Sequence, residues 1–333
     1  MRLLVLGGSV FLGRAVVEAA LAAGHDVTTF NRGLSGSDHP GGAAIRGDRT
    51  DPDDLRRLAE VEPWHAVIDT SPQVPREVLA AARALGGVGR YVLVSSVSVH
   101  PGWPAGAVDA ASATFDCPPD AGPDDGHYGE LKAGCERAVT EVLRERAVIV
   151  RPGVILGPRE NVGRLPWWLR RMARGGDVLA PGRPGAPFQA VDVRDLADLL
   201  VTAASRLDTP RGPLVAPGPI GRDTFGGWLE LCRAAAGPQA RLTWVDDDFV
   251  AEHGVEPWGE LPLWLPPGPK TSHAFDMDGS SATSWGLTYR ALADTVVDTW
   301  AWLREEPGYA VPERTGLDPV KERLVLDAWS ARG

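Results

Sequence analysis

The sequence predicts an α/β protein in which a doubly wound parallel sheet carries a smaller, interleaved, mostly C-terminal lobe. Apolar runs of β type recur along the first half of the chain, and helical patterns lie between most of them. These runs are rich in Val and Leu on both faces, which is typical of parallel strands covered by helices on each side. A chain of 333 residues with 44% hydrophobic content can bury a core of this size.

The individual elements follow in chain order. The predicted strands of the first half are "RLLVLG", "DVTTF", "AVID", "RYVLVSS" and "RAVIVRPG", and two of the helices between them are "GRAVVEAALAAG" and "PREVLAAARALGG". After Gly157 a Trp-bearing helix and a Pro/Gly-rich loop precede another strand and helix, where the two lobes begin to interleave. Later helices are predicted at "DTFGGWLELCRAAAG", "YRALADTVVDTWAWLREE" and "DPVKERLVLDAWS".

Composition excludes several classes of protein. The 44 acidic residues against 34 Lys and Arg give a net charge of -10, which argues against a general nucleic-acid surface. Cys117, Cys135 and Cys232 have no paired spacing, so we expect buried free thiols and neither a disulfide framework nor a metal site. No leader precedes the run at Leu3, and no apolar stretch approaches the ~20 residues that span a bilayer. We therefore expect a soluble cytoplasmic monomer or homodimer.

A glycine-rich stretch, "GGSVFLG" from Gly7 to Gly13, lies between the first strand and the first helix. Gly7 suits the tight turn, and Gly13 allows the helix to pack closely on the sheet. Val10 stands where such a loop often has another glycine, but its backbone N–H can still donate to a pyrophosphate. The stretch predicts a dinucleotide site that includes Gly7, Ser9, Val10, Phe11, Leu12 and Gly13.

Two further loops predict which dinucleotide binds. "TFNRG" places Asn31 and Arg32 where an NAD-preferring loop would usually offer an acid to the adenosine ribose. Arg32 suits a 2'-phosphate instead, although it could equally be an ordinary exposed arginine. We expect NADP, with NAD as the alternative. Asp48 and Arg49 follow the third strand and could touch the adenine edge, while Asp51 caps the next helix.

A pair of polar residues predicts acid/base chemistry. Tyr128 and Lys132 are four residues apart, so they share one face of a helix. A nearby ammonium stabilises a phenolate and lowers the pKa of the tyrosine, which could then act as an acid or base. Tyr-x-x-x-Lys alone is common on exposed helices. Here Ser95 and Ser96 end the strand "YVLVSS" and could join the pair.

The stretches "GGSVFLG", "VSSVSV", "YGELK", "RPGVILGPRE" and "VDVRDLADLL" together resemble the extended and atypical short-chain dehydrogenase/reductase superfamily. The chain is most similar to the NAD-dependent epimerase/dehydratase-like branch, from residue 1 to about 205. The resemblance implies a Rossmann domain formed by residues 1–160 and 186–217. It also implies a substrate-binding lobe formed by residues 161–185 and 218–333.

The resemblance also implies roles for individual residues. Tyr128 would be the general acid/base, Lys132 its activator and Ser96 the hydroxyl that orients the substrate oxygen, with Ser95 as the competing choice. A hydride would pass between the nicotinamide and the carbon that bears this oxygen. The dinucleotide would contact Gly7, Gly13, Arg32, Asp48, Arg49, Thr70, Ser71, Tyr128, Lys132, Pro152, Gly153, Val154 and Ile155.

Three positions depart from the family pattern. His100 stands where many nucleotide-sugar epimerases have a tyrosine, and Phe188 aligns with an arginine that binds the substrate phosphate. The loss of this arginine argues against a nucleotide-sugar substrate. The usual Ala-Gly wall after the fourth strand is replaced by "DTSP", which changes the adenosine-side contacts.

Substrate contacts in the second lobe are predicted less directly. Tryptophans suggest an apolar or flat-ringed pocket, although such residues more often serve simple packing. Arg159 and Gln189 could meet polar substrate atoms, with surface ion pairing as the alternative, and His127 is expected to shape its loop. The aromatic candidates are Trp167, Trp168, Trp258 and Trp264.

The leading functional hypothesis is an NADP(H)-dependent oxidoreductase that acts on the carbonyl or alcohol of a small, non-nucleotide substrate. An epimerase or dehydratase would use the same Ser, Tyr and Lys, so the sequence leaves this choice open. The third alternative is a non-catalytic protein that senses dinucleotides or binds RNA. The acidic charge and the presence of Ser96, Tyr128 and Lys132 argue against it.

Overall fold

A seven-stranded parallel sheet forms the centre of the computed structural model, which describes residues 1–61 and 63–332. The strands of these ranges are, in chain order, β1 (Arg2–Leu6), β2 (Asp26–Asn31), β3 (Ala43–Arg46), β4 (Ala66–Asp69), β5 (Arg90–Val94), β6 (Ala147–Pro152), β7 (Ile155–Leu156), β8 (Asp177–Pro181), β9 (Pro187–Phe188), β10 (Val191–Asp192), β11 (Leu214–Ala216), β12 (Asp223–Thr224), β13 (Arg241–Val245), β14 (Pro257–Trp258) and β15 (Leu261–Pro262).

Helices alternate with the strands and dominate the C-terminal part. The α-helices of the described ranges are α1 (Phe11–Ala22), α2 (Pro52–Glu60), α3 (Pro75–Ala84), α4 (Tyr128–Leu143), α5 (Arg164–Ala173), α6 (Val193–Ser205), α7 (Phe225–Ala236), α8 (Asp247–Glu252), α9 (Ser280–Thr283), α10 (Leu292–Glu305) and α11 (Pro319–Ser330). Two short 3-10 helices span Val97–Val99 and Arg144–Arg146.

The strand order of the central sheet is β11-β6-β5-β4-β1-β2-β3. The chain winds outward from β1 to β3 and then crosses to β4 on the other side of β1, so the direction of winding reverses between β1 and β4. In open parallel sheets, ligands bind outside the carboxyl ends of the strands at this point of reversal. The predicted fold, an α/β Rossmann-type doubly wound sheet, is confirmed.

Alternating residues of each strand face opposite sides of the sheet and build two separate cores. On β1, Leu3 and Val5 pack with α1 and α6, whereas Leu4 and Leu6 pack with α2, α3 and α4. This alternation is the period of two expected for a strand. Burial on both faces explains why the strands read as continuous apolar runs.

A third core joins α5, α7, α10 and α11 to the parallel pair β8 and β13. Its centre is aromatic: Phe188 stacks on Trp228 with ring centres 4.7 Å apart, and Trp168 lies edge-on to Trp228 at 6.0 Å. The Trp168 indole satisfies its buried N–H by donating to the Pro262 carbonyl oxygen at 2.8 Å. This core corresponds to the second lobe expected from the sequence.

Packing crosses the predicted domain boundaries in both directions. Trp285 and Leu287 come from the predicted substrate-binding lobe, residues 218–333, yet they pack in the core with α1 and α6. Phe188 comes from the predicted Rossmann segment, residues 186–217, yet it packs in the aromatic core of the lobe. The boundaries themselves stay a prediction.

Element limits also differ slightly from the expectation. The first helix begins at Phe11, two residues before the predicted start, because the turn is completed by Gly7 and Gly8. Sequence reasoning did not assign the β8–β13 pair. Within the described ranges, no helix has the length and apolar character needed to cross a membrane. Cys117, Cys135 and Cys232 are buried free thiols.

Candidate active site

A cavity of about 1020 Å³ opens at the carboxyl edge of the sheet, where the loops after β1 to β6 meet the second lobe. Its wall includes every residue that the sequence analysis assigned to the dinucleotide. These residues are Gly7, Ser9, Val10, Phe11, Leu12, Gly13, Asn31, Arg32, Asp48, Arg49, Thr70, Ser71, Tyr128, Lys132, Pro152, Gly153, Val154 and Ile155. The fold thus brings them together, and the role of each stays a prediction.

The glycine turn leaves no room for side chains at three positions. A Cβ at Gly7 would lie 2.7 Å from the Thr70 hydroxyl, and a Cβ at Gly13 would lie 2.7 Å from the backbone N of Gly8. Gly7 and Gly8 have φ of 103° and 96°, a region that favours glycine. Sequence reasoning missed Gly8, although the Gly-Gly pair was a signal for it.

The start of α1 offers hydrogen-bond donors to the cavity. Val10 is the N-cap residue and makes no side-chain capping bond, and no acidic residue occupies the first turn of the helix. The first N–H groups of a helix lack intrahelical acceptors and carry partial positive charge. This end of the cavity, from Gly7 to Gly13, therefore suits an anion, and we call it the glycine end.

The loop after β2 holds Asn31 in place and leaves Arg32 extended. The Asn31 side-chain oxygen accepts from the Gly33 N–H at 2.8 Å, and its amide donates to Asp38 at 3.1 Å. Arg32 is exposed, and its guanidinium approaches the Asp48 carboxylate only at 3.9 Å. Exposed ion pairs of this length are weak. The Arg32 side chain can therefore reach an anion in the cavity.

Arg49 differs from the expectation that it touches an adenine edge. Its guanidinium donates to the buried Asp69 carboxylate at 2.8 and 3.1 Å and to the Ser71 carbonyl at 2.9 Å. Burial alone would lower the pKa of Arg49, but the Asp69 charge outweighs burial and raises it. Tyr91 donates to the same carboxylate at 2.9 Å. The Arg49 guanidinium, which was expected to contact the adenine edge, is therefore bound to the cavity floor.

The two serines after β5 have different partners. Ser95 is buried and donates to Glu136 at 2.5 Å, and this carboxylate forms a bidentate pair with Arg151 at 2.6 and 2.8 Å. Ser96 accepts from the Ser98 N–H at 3.1 Å, and its hydroxyl has a lowering effect on the pKa of the Tyr128 phenol. The geometry therefore favours Ser96 over Ser95 as the serine that acts with Tyr128.

Lys132 lies below Tyr128 rather than beside its phenol oxygen. Its ammonium donates to the Val94 carbonyl at 3.1 Å and lies 5.7 Å from the centre of the Tyr128 ring. Burial lowers the pKa of Lys132 to about 8. Burial also raises the pKa of Tyr128, against the lowering effects of the Ser96 hydroxyl and the Arg164 charge. In this geometry the lysine does not produce the lowered tyrosine pKa that the sequence analysis expected.

Most of the expected substrate contacts lie away from the cavity, and we correct their placement here. Three of the tryptophans are 0–8% exposed and belong to the core of the lobe, while Gln189 is buried and bonds Gly218 and Met277. Arg159 is exposed outside the cavity wall. These indole rings pack against the other apolar side chains of the lobe core. The three tryptophans are Trp167, Trp168 and Trp264.

Other residues form the part of the wall that faces the lobe, which we call the lobe end. They are Trp103, Asn161, Val162, Arg164, Trp258 and Leu265. Of these, only Trp258 was among the aromatic candidates. Sequence reasoning missed Arg164, which follows "RENVG" and starts α5, because nothing local distinguishes it from its neighbouring arginines.

The positions that depart from the family pattern also have structural explanations. His100 is buried behind the Ser95 site, where its Nδ1 lies 2.9 Å from the Ala113 carbonyl, and burial lowers its pKa. Phe188 lies in the aromatic core. The backbone N–H of His127 donates to Glu130 at 2.7 Å at the start of α4, so His127 shapes the loop as expected. His100, Phe188 and His127 lie outside the cavity wall, whereas Thr70 and Ser71 of "DTSP" form part of it.

Comparison with known proteins gives the family. The model of the NAD dependent epimerase/dehydratase family matches residues 3–75 and 61–215, which is more than half of the chain. The chain belongs to this family. The resemblance inferred from the ordered motifs is confirmed, including its placement among extended short-chain dehydrogenases/reductases.

Two curated proteins are similar to this chain over part of their length. One is the 2'-dehydrokanamycin reductase of Streptomyces kanamyceticus, 33% identical over 65% of this chain and 61% of that protein. The other is the chloroplast stem-loop binding protein of 41 kDa b of Arabidopsis thaliana, 25% identical over 71% of this chain and 63% of that protein. The chain thus matches about three fifths of the length of each.

The likeness to solved structures extends over nearly the whole chain. The UDP-glucuronic acid 4-epimerase of Bacillus cereus, solved in complex with NAD, gives a TM-score of 0.67 at 14% identity. The comparison covers 92% of this chain and 99% of that one. At this identity the likeness concerns the fold.

Proposed function

We propose that the protein is an NADP(H)-dependent oxidoreductase that acts on the carbonyl or alcohol of a small, non-nucleotide organic molecule. The observation that carries this proposal is the placement of Ser96 and Tyr128 on the wall of the same cavity as the glycine turn, with Lys132 beneath the Tyr128 ring. The 33% identity to a protein named as a reductase supports the same reaction class.

The glycine end fits the pyrophosphate of a dinucleotide. Gly7 and Gly13 have no space for a Cβ, and the uncapped N–H groups of α1 can donate to phosphate oxygens. The 2'-phosphate would pair with Arg32, and the ribose next to the nicotinamide would lie near Lys132. The Rossmann domain, residues 1–160 and 186–217, would hold this cofactor. When bound, the nicotinamide would supply or accept the hydride.

The chain's own residues would handle the oxygen and the proton. Ser96 would hold the substrate oxygen by a hydrogen bond, and the Tyr128 hydroxyl would donate a proton to that oxygen during reduction or accept it during oxidation. Lys132 would support the Tyr128 ring from below, because its ammonium is fixed on the Val94 carbonyl.

The lining of the lobe end supports a substrate that is not a nucleotide sugar. Trp103, Val162, Trp258 and Leu265 give it apolar walls. The position that aligns with a phosphate-binding arginine in nucleotide-sugar epimerases is Phe188, which is buried against Trp228. A nucleotide sugar would therefore lack this contact.

An epimerase or dehydratase remains the second candidate because the family model includes both reactions. The discriminating quantity is net turnover of the dinucleotide: a reductase consumes NADPH in proportion to product, whereas an epimerase returns the cofactor to its starting state within each cycle. Stem-loop RNA binding is suggested only by the name of one relative, and the net charge of -10 argues against it.

The test combines cofactor binding with turnover. We expect NADPH to quench tryptophan fluorescence because Trp103 and Trp258 line the cavity. With a panel of ketones and aldehydes, Tyr128→Phe should retain NADPH binding and reduce turnover by ~10²- to 10⁴-fold. Tyr289→Phe is the matched control, because Tyr289 lies outside the cavity wall. Full turnover by Tyr128→Phe, or NADPH consumption no faster than the protein-free rate for every compound, would contradict the proposal.

A further inference from the structure

The acidic side chains of the cavity wall lie away from the lobe end. Among the described wall residues, the acidic side chains are Asp48, which follows β3, and Glu77, which lies on α3. Glu77 interacts electrostatically with Arg49 in the cavity floor. At the lobe end, as defined above, Arg164 is the one residue with a charged side chain, and no acidic side chain faces it there.

The Arg164 guanidinium has the Glu160 carboxylate as an electrostatic neighbour but not as a contact partner. It lies over the Trp258 ring, 5.4 Å from the ring centre, and makes no ion pair or side-chain hydrogen bond with another described residue. The nearby Glu160 carboxylate is occupied by the backbone, because it accepts from the N–H groups of Arg164 at 2.9 Å and Leu165 at 3.2 Å. The cation is therefore available to a ligand.

The position of Arg164 is also unfavourable for stability. It is the first residue of α5, where the partial positive charge of the helix disfavours a cation. The side chain is half-buried, and burial lowers the pKa of Arg164. A half-buried cation beside an apolar wall usually has an anion in direct contact, and the lack of such a contact among the described residues points to one in the ligand.

We propose that Arg164 binds a carboxylate of the substrate, so that the substrate is an oxo or hydroxy organic acid. This inference rests on the function proposed above and specifies its substrate class. A planar guanidinium pairs with a carboxylate through two parallel hydrogen bonds, and a single cation suits a monoanion. The Trp258 ring holds the guanidinium from one side. Arg164 also acts electrostatically on Tyr128, so the acid group would bind on the same side as the reacting oxygen.

The proposal predicts that polyamines are poor ligands. The name of one relative indicates a kanamycin derivative, which carries several amines. Arg164 repels such a cation, because no acidic side chain lies beside it on the described cavity wall. Acid and amine probes therefore test the charge of the lobe end directly.

The experiment compares matched ligands on protein loaded with NADP⁺. The probes are benzoylformate and 2-oxobutanoate, the methyl ester of each, and kanamycin, with binding followed by calorimetry and tryptophan fluorescence. A charge-assisted hydrogen bond corresponds to ~10-fold or greater tightening of acid over ester for at least one pair. Arg164→Gln should abolish this difference and leave ester binding unchanged, whereas Arg164→Lys should keep part of it.

Arg170→Gln is the control, since Arg170 lies on the same helix but packs on Tyr309 outside the cavity wall. If Arg164 acts through substrate binding, its loss raises KM for the acid more than it lowers kcat. Acids that bind no more tightly than their esters, including no binding of either, would overturn the inference, as would tighter binding of kanamycin. Failure of NADP⁺ to bind at all would instead refute the proposed function.

Discussion

Gly13→Ala tests how closely the first helix must approach the glycine turn. The added Cβ would lie 2.7 Å from the Gly8 nitrogen and 3.0 Å from both the Gly8 Cα and the Thr70 hydroxyl. Ordinary contact begins at 3.4 Å, so the difference, 3.4 minus 2.7, requires a separation of about 0.7 Å between α1 and the turn. Overpacking of this kind costs about 1–3 kcal/mol.

The same movement would displace the N–H groups that are proposed to hold the pyrophosphate. We therefore expect the free energy of unfolding to fall by about 1–3 kcal/mol. We also expect NADPH affinity to fall by ~10-fold or more, since 1.4 kcal/mol corresponds to a factor of ten. Urea denaturation measures the first quantity, and fluorescence titration at 25 °C, where the variant is still folded, measures the second.

Gly87→Ala provides the matched control because its Cβ would meet nothing within 4 Å and its φ is not in the left-handed region. A glycine-to-alanine change at such a position is neutral or stabilises by about 0.4–1 kcal/mol. Wild-type NADPH affinity in Gly13→Ala, or an equal loss in both variants, would refute the argument that this contact positions the phosphate-binding N–H groups.

Four further predictions concern residues on the cavity wall or beneath it. Arg32→Ala should lower the affinity for NADPH by ~10-fold or more and leave the affinity for NADH nearly unchanged, since only NADPH has a 2'-phosphate. Isothermal titration measures both affinities, and an equal loss for the two dinucleotides would contradict the role of Arg32. Val10→Phe should weaken NADPH binding and Val10→Gly should be tolerated, with dissociation constants as the readout; normal binding by the phenylalanine variant would place the phosphate elsewhere. Asp69→Asn should destabilise the fold by about 3–5 kcal/mol in urea denaturation because it leaves Arg49 buried without a counter-charge, and a loss below 1 kcal/mol would contradict this. The pKa of Lys132 is lowered to about 8 in the folded protein, so above pH 8 the unfolded state binds more protons than the folded state, and the free energy of unfolding should rise from pH 8 to about 10.5. Lys132→Met should flatten this rise in the urea midpoints. An unchanged slope in the variant would count against the role of Lys132.

The sequence predicted the sheet and the glycine end well because each depends on local pattern. Leu3 to Leu6 alternate between two cores, and the residues that follow each strand reach the cavity because parallel strands end at one edge. Chain order and strand direction therefore suffice to place Arg32, Thr70 and Ser96 at the same edge of the sheet. No knowledge of long-range packing is needed for this part.

The expected roles of Arg49 and Lys132 differ from the structure because contacts between distant parts of the chain decide their partners. Arg49 follows β3 as predicted, but the Asp69 carboxylate beneath it captures the guanidinium, and no local pattern reports this pair. Tyr128 and Lys132 share a helix face as expected, yet the Val94 carbonyl binds the ammonium and burial sets the direction of the tyrosine pKa. In both cases the partner comes from a strand that is distant in the sequence.

The lobe end of the cavity depends on packing between segments that are far apart in the chain. Gly163 precedes Arg164 with a φ of 86°, and a Cβ there would lie 2.7 Å from the Pro312 side chain. The C-terminal segment therefore helps to set where α5 begins, while Trp258 supplies the ring beneath the Arg164 guanidinium. The sheet can stay unchanged while these segments vary, because they share the lobe core with α7 and α10 rather than the core of the sheet. Substrate class would then change through residues 161–164 and 257–265, with Ser96, Tyr128 and Lys132 left in place.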